Sequence, residues 1–106
     1  MFFELRESRT SPGKTQEWVD YIEQVVIPFQ VSKGVVVVGS FVGQEKDDLY
    51  VWIRRFENGA ELERLREAVH GSDRWQSEIS PKVPGMTDRS RQVVRRIVAT
   101  SRSVIQ

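Results

Sequence analysis

The order of apolar patterns along the chain is the feature that most restricts its fold. In residues 2–9, Phe3 and Leu5 alternate with charged residues, which is typical of a strand with one apolar face. Three later runs are rich in β-branched residues, and two stretches repeat apolar residues at helical spacing. The predicted strands are 2–9, 34–44, 48–56 and 92–100, and the predicted helices are 13–30 and one that begins after the N-cap Asn58. The predicted order is therefore βαββαβ.

This order is the split βαβ pattern of the ferredoxin-like fold, an α+β fold in which two helices cover one face of a four-stranded antiparallel sheet. A chain of 106 residues is long enough for one hydrophobic core, so we expect a single domain over residues 1–106. A further helical piece is predicted at 72–79, where Trp75 and Ile79 are spaced i, i+4. A loop with two prolines at 81–85 follows it.

Composition and charge limit the partners and the chemistry. Sixteen basic and 15 acidic residues give a net charge of +1, so we expect no general attraction to nucleic acid or membranes. The chain has no cysteine, which excludes disulfides, thiolate metal sites and a cysteine nucleophile. The charged N-terminus does not resemble a signal peptide, and no apolar run reaches the ~18 residues of a membrane span. We expect a soluble, cytoplasmic protein.

The triplet Gly13-Lys14-Thr15 has the sequence that ends a phosphate-binding loop. Such a loop needs a glycine five positions before its Gly-Lys pair, and that position is Ser8, inside the first predicted strand. The large parallel sheet of a nucleotide-binding enzyme is also not predicted. We therefore interpret the triplet as the turn that leads into the first helix.

A second short motif, Lys33-Gly34 followed by valines, resembles the start of the RNA-binding signature of RNA-recognition domains, which share this topology. The aromatic residues that stack on bases in those domains are missing here. RNA binding remains the weaker alternative, supported by arginines near the C-terminus. These are Arg89, Arg91, Arg95, Arg96 and Arg102. We favour their interpretation as solvated charges on an edge strand, which discourage aggregation.

The two central strands predict a sheet with two different faces. We expect the helices to cover the purely apolar face, which carries Phe3, Leu5, Leu49, Val51 and Ile53. The other face mixes aromatic and charged side chains, namely Glu4, Arg6, Tyr50, Trp52, Arg54 and Phe56. Exposed aromatic residues in such a patch favour association. We therefore expect a two-fold homodimer whose paired sheets enclose a barrel-like space.

Charged residues inside that space need a partner or a ligand. In one interpretation, Glu4 and an arginine form a structural ion pair. In the other, the space is a pocket for a small molecule, in which Arg54 or Arg6 binds a carboxylate or enolate oxygen. Glu4 would act as general base if desolvation raises its pKa. The aromatic residues Tyr50, Trp52 and Phe56 would hold the apolar body, and Arg96 is a further candidate for substrate binding.

Several segments, in the same order along nearly the whole chain, resemble proteins of the NIPSNAP family. They are Phe3-Glu4-Leu5-Arg6, Pro12-Gly13-Lys14, Trp52-Ile53-Arg54-Arg55-Phe56, Ser72-Asp73-Arg74-Trp75, Arg96-Ile97-Val98 and Arg102-Ser103. The resemblance implies the dimeric α/β-barrel fold. It implies little about function, since the family is largely uncharacterised and has no agreed catalytic residues. Cofactor-independent monooxygenases, lactone isomerases and heme enzymes share the barrel, but a shared fold does not establish a shared reaction.

His70 is the only histidine and lies near the end of the second predicted helix, before Gly71. No spacing of further ligands suggests a metal or heme site, so we predict no cofactor. One interpretation is a histidine that interacts with the helix dipole ahead of a glycine C-cap. The resemblance favours another, since NIPSNAP-like sequences often carry an aromatic residue such as tyrosine here. His70 would then line the pocket mouth as a proton donor or ligand contact.

These observations predict a protein that binds a small, partly aromatic or acidic organic molecule. It would be a cofactor-independent enzyme of the monooxygenase or isomerase type, with Glu4, Arg54 and His70 as catalytic candidates. The alternative is a non-catalytic ligand-binding or protein-interaction module.

Overall fold

The computed structural model describes all 106 residues and confirms the α+β, ferredoxin-like fold. Four strands form one antiparallel sheet in the order β2-β3-β1-β4. The strands are β1 (Phe2–Thr10), β2 (Val36–Val42), β3 (Leu49–Phe56) and β4 (Thr87–Ile97). The helices are α1 (Thr15–Tyr21), α2 (Ile27–Ser32) and α3 (Gly59–His70). No helix is both long and apolar enough to cross a membrane.

The first predicted helix is interrupted at its centre. Gly13 forms the preceding turn with a φ of +73°, a conformation that glycine adopts without strain. A π-helical turn over Ile22–Val26 joins α1 to α2, and the Ile27 N–H donates to the carbonyl of Ile22. Pro28, in the first turn of α2, has no N–H to donate, and its ring crowds the preceding turn. The wider π turn therefore coincides with the position where regular α-helical bonding is lost.

Helix α3 confirms the predicted cap. The Asn58 side chain accepts a hydrogen bond from the Glu61 N–H at 2.8 Å. The predicted helical piece at 72–79 includes a π-helical turn at Trp75–Ile79. The predicted loop after it is instead a 3₁₀ segment, Ser80–Gly85. Its two prolines favour this tighter form because their fixed φ is compatible with it.

Strand β4 begins at Thr87 rather than at the predicted position 92. Its first half is polar and lacks clear alternation, so periodicity did not reveal it. The pairing with β1 is also irregular, since Glu7 lies opposite Val93 while Arg9 lies opposite Asp88. Residues 89–92 therefore bulge out of the sheet next to Ser8. Bulges of this kind redirect side chains.

The prediction of which face meets the helices was wrong. The helices pack on the mixed face of the sheet, where Tyr50, Trp52 and Phe56 are buried in the main core. The core also contains Trp18, Ile22, Val26, Phe29, Val35, Leu62, Leu65, Val69, Ile79 and Met86. Large aromatic side chains fill the wide layer between sheet and helices. The charges on this face are tolerated because Glu4 is paired with two arginines.

The open side of the sheet is the face that carries Leu5 and Ile53, and the register also places the charged Glu7, Arg55 and Arg95 on it. Strand register places Leu5 opposite Ile53, and Phe41 of β2 opposite Val51. Phe41 is 54% exposed, and Val36 and Ile97, on the same face, are also exposed. An apolar surface therefore remains uncovered within one chain.

Candidate functional site

A cavity of about 680 Å³ lies between the mixed face of the sheet and the helices. It lies within one chain, whereas the sequence predicted a pocket between the sheets of two chains. Part of its wall is apolar and comes from Trp18, Ile22, Val26, Val35, Leu62, Leu65 and Val69. The charged part contains Arg6, Arg54, Arg66, His70, Asp88 and Arg89. The cavity therefore combines apolar and cationic surfaces, as expected for a site that binds an organic acid.

Glu4 is the buried anion of the site, with 1% of its surface exposed. It lies opposite Arg54 in the pairing of β1 with β3, and its Oε1 accepts hydrogen bonds from Arg54 and from Arg6. The Arg6 donor is 2.8 Å away. Both arginines line the cavity, while Glu4 does not. Glu4 therefore holds the two guanidinium groups from behind.

Glu4 was a candidate general base only if burial raised its pKa, and the structure does not meet this condition. Burial acts to raise its pKa, but Arg54 and then Arg6 outweigh burial, and the pKa is lowered from its usual value of 4.5. A carboxylate with a lowered pKa is a weak proton acceptor at neutral pH. The ion-pair interpretation fits Glu4 better.

Arg54 is held by contacts on several sides. Besides bonding Glu4, it donates to the Gln30 side chain at 3.0 Å. Its guanidinium lies 5.1 Å from the ring centre of Trp52 and 5.2 Å from that of Phe56. Both aromatic residues lie two positions away on the same strand face, where cation–π contact is geometrically favoured. They therefore support Arg54, in addition to forming cavity wall.

Two buried donors in the cavity wall have no acceptor within the chain. They are the indole N–H of Trp18 and the Nε–H of Arg54. An unpaired buried donor costs about 1–3 kcal/mol. A ligand that supplies acceptor oxygens would remove part of this cost.

His70 lies at the exposed edge of the cavity. Its ring stacks on Trp75 with centroids 5.1 Å apart, and its backbone carbonyl accepts a hydrogen bond from Gln76 at 2.9 Å. Burial lowers its pKa below 6.5, and the charges of Arg66, Arg54 and other arginines lower it further. The imidazole is therefore neutral at pH 7 and able to accept a proton.

The titration of His70 tests this electrostatic arrangement. We expect its imidazole to titrate with a midpoint below 6.5 in the folded protein, measured by NMR from the ring C–H shifts. Because the folded pKa is lowered, the histidine contributes stability that is present above its unfolded pKa and is lost as pH falls through the folded pKa. Arg66→Gln should raise the midpoint, and Arg64→Gln on the outer side of α3 should not. A wild-type midpoint at or above 6.5 would contradict the arrangement.

Two predicted binding residues do not reach the cavity. Tyr50 is fully buried, its hydroxyl hydrogen-bonds to Ser40, and burial raises its pKa to about 12. Its ring packs edge-on against Trp18. Arg96 lies over the ring of Phe2, with 5.1 Å to the ring centre, and does not line the cavity. Neither residue therefore contributes to the wall of this cavity.

The sequence interpretation missed several cavity residues. Arg66 lies one helical turn before His70 on α3, and this i, i+4 spacing was a usable signal. Arg89 lies in the bulge of β4, and Trp18 is a buried residue of α1. Nothing in the local pattern around Arg89 indicates a role in the site.

The model of the NIPSNAP family matches residues 3–102, which is nearly the whole chain. The chain belongs to the NIPSNAP family. The matched region includes all the charged residues of the cavity described above. No curated protein matches the chain significantly.

Solved structures agree with this NIPSNAP assignment and with the fold. A NIPSNAP family protein of unknown function from Agrobacterium tumefaciens is 21% identical, with a TM-score of 0.89 over 100% of this chain and 94% of the other. An uncharacterised NIPSNAP domain protein from Burkholderia xenovorans is 15% identical, with a TM-score of 0.85 over 97% and 98% of the two chains. An antibiotic biosynthesis monooxygenase is 14% identical, with a TM-score of 0.59 over 94% and 99%. At these identities the similarity concerns the fold alone.

Proposed function

We propose that this NIPSNAP protein binds a small organic acid with an apolar, partly aromatic body in the cavity between its sheet and helices. The observation that carries the proposal is the composition of the cavity wall, in which an apolar surface adjoins four guanidinium groups. Organic acids are recognised by this combination, because arginine binds a carboxylate through two parallel hydrogen bonds.

The contacts suggest an orientation for the ligand. Arg54 is the anchor for the anionic group because Glu4, Gln30 and two aromatic rings hold it in place. The apolar body would then lie against Trp18, Ile22 and neighbouring aliphatic side chains of α3. Burial of that body supplies roughly 25 cal/mol per Å² of apolar surface.

Cofactor-independent catalysis of the monooxygenase or isomerase type needs a group that accepts a proton from the substrate. Glu4 is unsuited because two arginines lower its pKa. We propose neutral His70 for this role, since it lies in the cavity wall beside the arginines. The alternative is a binding protein without turnover. It is favoured if His70→Gln binds the ligand normally and the wild-type protein leaves that ligand unchanged.

We also propose that two chains associate as a homodimer through the open faces of their sheets, which are the faces opposite to those that the sequence analysis paired. Support comes from the exposed Phe41, Val36 and Ile97, which adjoin the half-buried Leu5 and Ile53. A second copy of the same surface would bury these side chains with two-fold symmetry.

Native mass spectrometry tests both proposals. We expect a species of about twice the 12.3 kDa chain mass that carries an additional small acid, which denaturation releases for identification. All three tryptophans line the cavity, so binding is also expected to change the intrinsic fluorescence. A ligand-free protein whose fluorescence does not respond to millimolar 4-phenylbutyrate would contradict the proposed binding. A monomeric species would contradict the proposed dimer alone.

A further inference from the structure

The cavity wall carries more positive charge than one carboxylate would neutralise. Four guanidinium groups line it, from Arg6, Arg54, Arg66 and Arg89. Two carboxylates accompany them, Asp88 in the wall and Glu4 behind it. With a neutral His70, the site has an excess of two positive charges.

The four arginines come from four different elements, so their convergence is a property of the tertiary structure. Arg6 lies on β1, Arg54 on β3, Arg66 on α3 and Arg89 on β4. All four line the same cavity as His70, and their charges act on its imidazole. Positive charges that line one cleft repel one another. Their combined field attracts anions into the cleft.

The two exposed arginines of the cavity, Arg66 and Arg89, are less well paired with carboxylates than Arg6 and Arg54 are. Arg66 donates to Glu63 at 2.9 Å, but Glu63 lies on the outer surface with 59% of its side chain exposed, and such pairs are weak. Arg89 makes no hydrogen bond or ion pair through its side chain. The neighbouring Asp88 carboxylate accepts instead from the N–H and hydroxyl of Ser90. Two guanidinium groups thus remain available beyond the Glu4 pair.

We propose that the polar group of the ligand is a dianion, either a phosphoryl-type group or two adjacent carboxylates. Arg54 and Arg6 bind it from the floor of the cavity, and Arg66 and Arg89 bind it from the mouth. This inference rests on the proposed function, since it specifies the acid that the cavity takes. Guanidinium groups suit both forms of the dianion because their paired donors match two oxygens at once.

A matched pair of compounds tests the charge of the ligand. Phenylphosphonate is a dianion at mildly alkaline pH, and benzenesulfonate is a monoanion of nearly the same shape. We expect phenylphosphonate to bind at least about tenfold more tightly, measured by tryptophan fluorescence at constant ionic strength in phosphate-free buffer. Phthalate and benzoate form a second pair, and the tighter of the two dianions identifies the phosphoryl or dicarboxylate form. Binding of either dianion should also raise the pKa of His70, because the added negative charge offsets the arginines.

Variants locate the effect. Arg66→Gln and Arg89→Gln should each weaken phenylphosphonate binding much more than benzenesulfonate binding, and so remove most of the preference for the dianion. Two control variants carry the same substitution on the same elements outside the cavity. Arg64 of α3 is paired with Glu61 at the surface, and Arg91 of β4 is paired with Asp48. Neither Arg64→Gln nor Arg91→Gln should alter the preference.

The outcomes separate this inference from the proposed function. If the two compounds of each pair bind with equal affinity, the inference that the ligand is a dianion is wrong, while the proposed organic-acid site is not contradicted. Binding of 4-phenylbutyrate without binding of either dianion would do the same. If 4-phenylbutyrate and all four compounds fail to bind, the proposed function fails and the dianion inference fails with it.

Discussion

Replacing Arg54 with methionine is expected to destabilise the protein by about 3–5 kcal/mol at pH 7. The substitution removes the main partner of Glu4, whose side chain is 2% exposed, and leaves that carboxylate with Arg6 alone. The cost arises because a charge that has lost its solvation is no longer compensated. Urea denaturation followed by circular dichroism measures the change in the free energy of unfolding.

The pH dependence of the stability difference between Arg54→Met and wild type tests whether the destabilisation arises from Glu4. In the wild-type protein the pKa of Glu4 is below 4.5, so its contribution to stability is present above the unfolded pKa and is lost as pH falls through the folded pKa. Without Arg54, burial should raise the pKa of Glu4. The carboxylate then takes up a proton at mildly acidic pH, and the difference in stability between variant and wild type should narrow.

Two further variants complete the test. Glu4→Gln combined with Arg54→Met should be more stable than Arg54→Met alone, because no buried charge is left unpaired. Arg55→Met is the matched control on the next position of β3. Its side chain faces the other side of the sheet and pairs with exposed Glu57, so we expect a loss below about 1 kcal/mol. Equal losses for Arg54→Met and Arg55→Met would refute the assigned role of the Glu4 pair.

Replacing Ile53 with glutamate is expected to convert the proposed homodimer into monomers. Ile53 lies on central strand β3 opposite Leu5, in the middle of the open apolar face. In a two-fold dimer, each substitution would bury a carboxylate between the apolar side chains of the two sheets, at a cost of several kcal/mol. The dimer dissociation constant should therefore rise at least about 100-fold. Analytical ultracentrifugation over a range of protein concentrations measures it.

The control for this variant carries the same charge on the helical side. Val31 of α2 is an exposed apolar residue that lies away from the open face. Val31→Glu should leave the association unchanged, and circular dichroism should show that both variants are folded. A wild-type monomer, or a dimer that tolerates Ile53→Glu, would refute association through this face.

Local patterns were sufficient to predict the order of the elements. The alternation around Phe3 and Leu5, the β-branched runs and the Asn58 cap each depend on neighbouring residues, so they are visible in the chain itself. The start of β4 was missed because residues 87–92 are polar and pair irregularly with β1. The error concerns only where β4 begins, so the βαββαβ order and the family were still predictable from the sequence.

The orientation of the sheet was not predictable from these patterns. Alternation shows that two faces differ, but it does not show which face the helices cover. The mixed face can form the interior because its aromatic side chains fill the core and its buried Glu4 is paired with Arg54, a residue 50 positions away. That pairing exists only after β1 and β3 lie side by side.

The chain by itself determined the elements, their order and the residue types that each strand presents, because these follow from the periodicity of short segments. Only the tertiary structure decided which face is buried and that Arg6, Arg54, Arg66 and Arg89 share one cavity. The physical reason is that charge burial and cavity shape depend on contacts between segments far apart in sequence. The energies of these contacts depend on how the whole sheet packs against its helices.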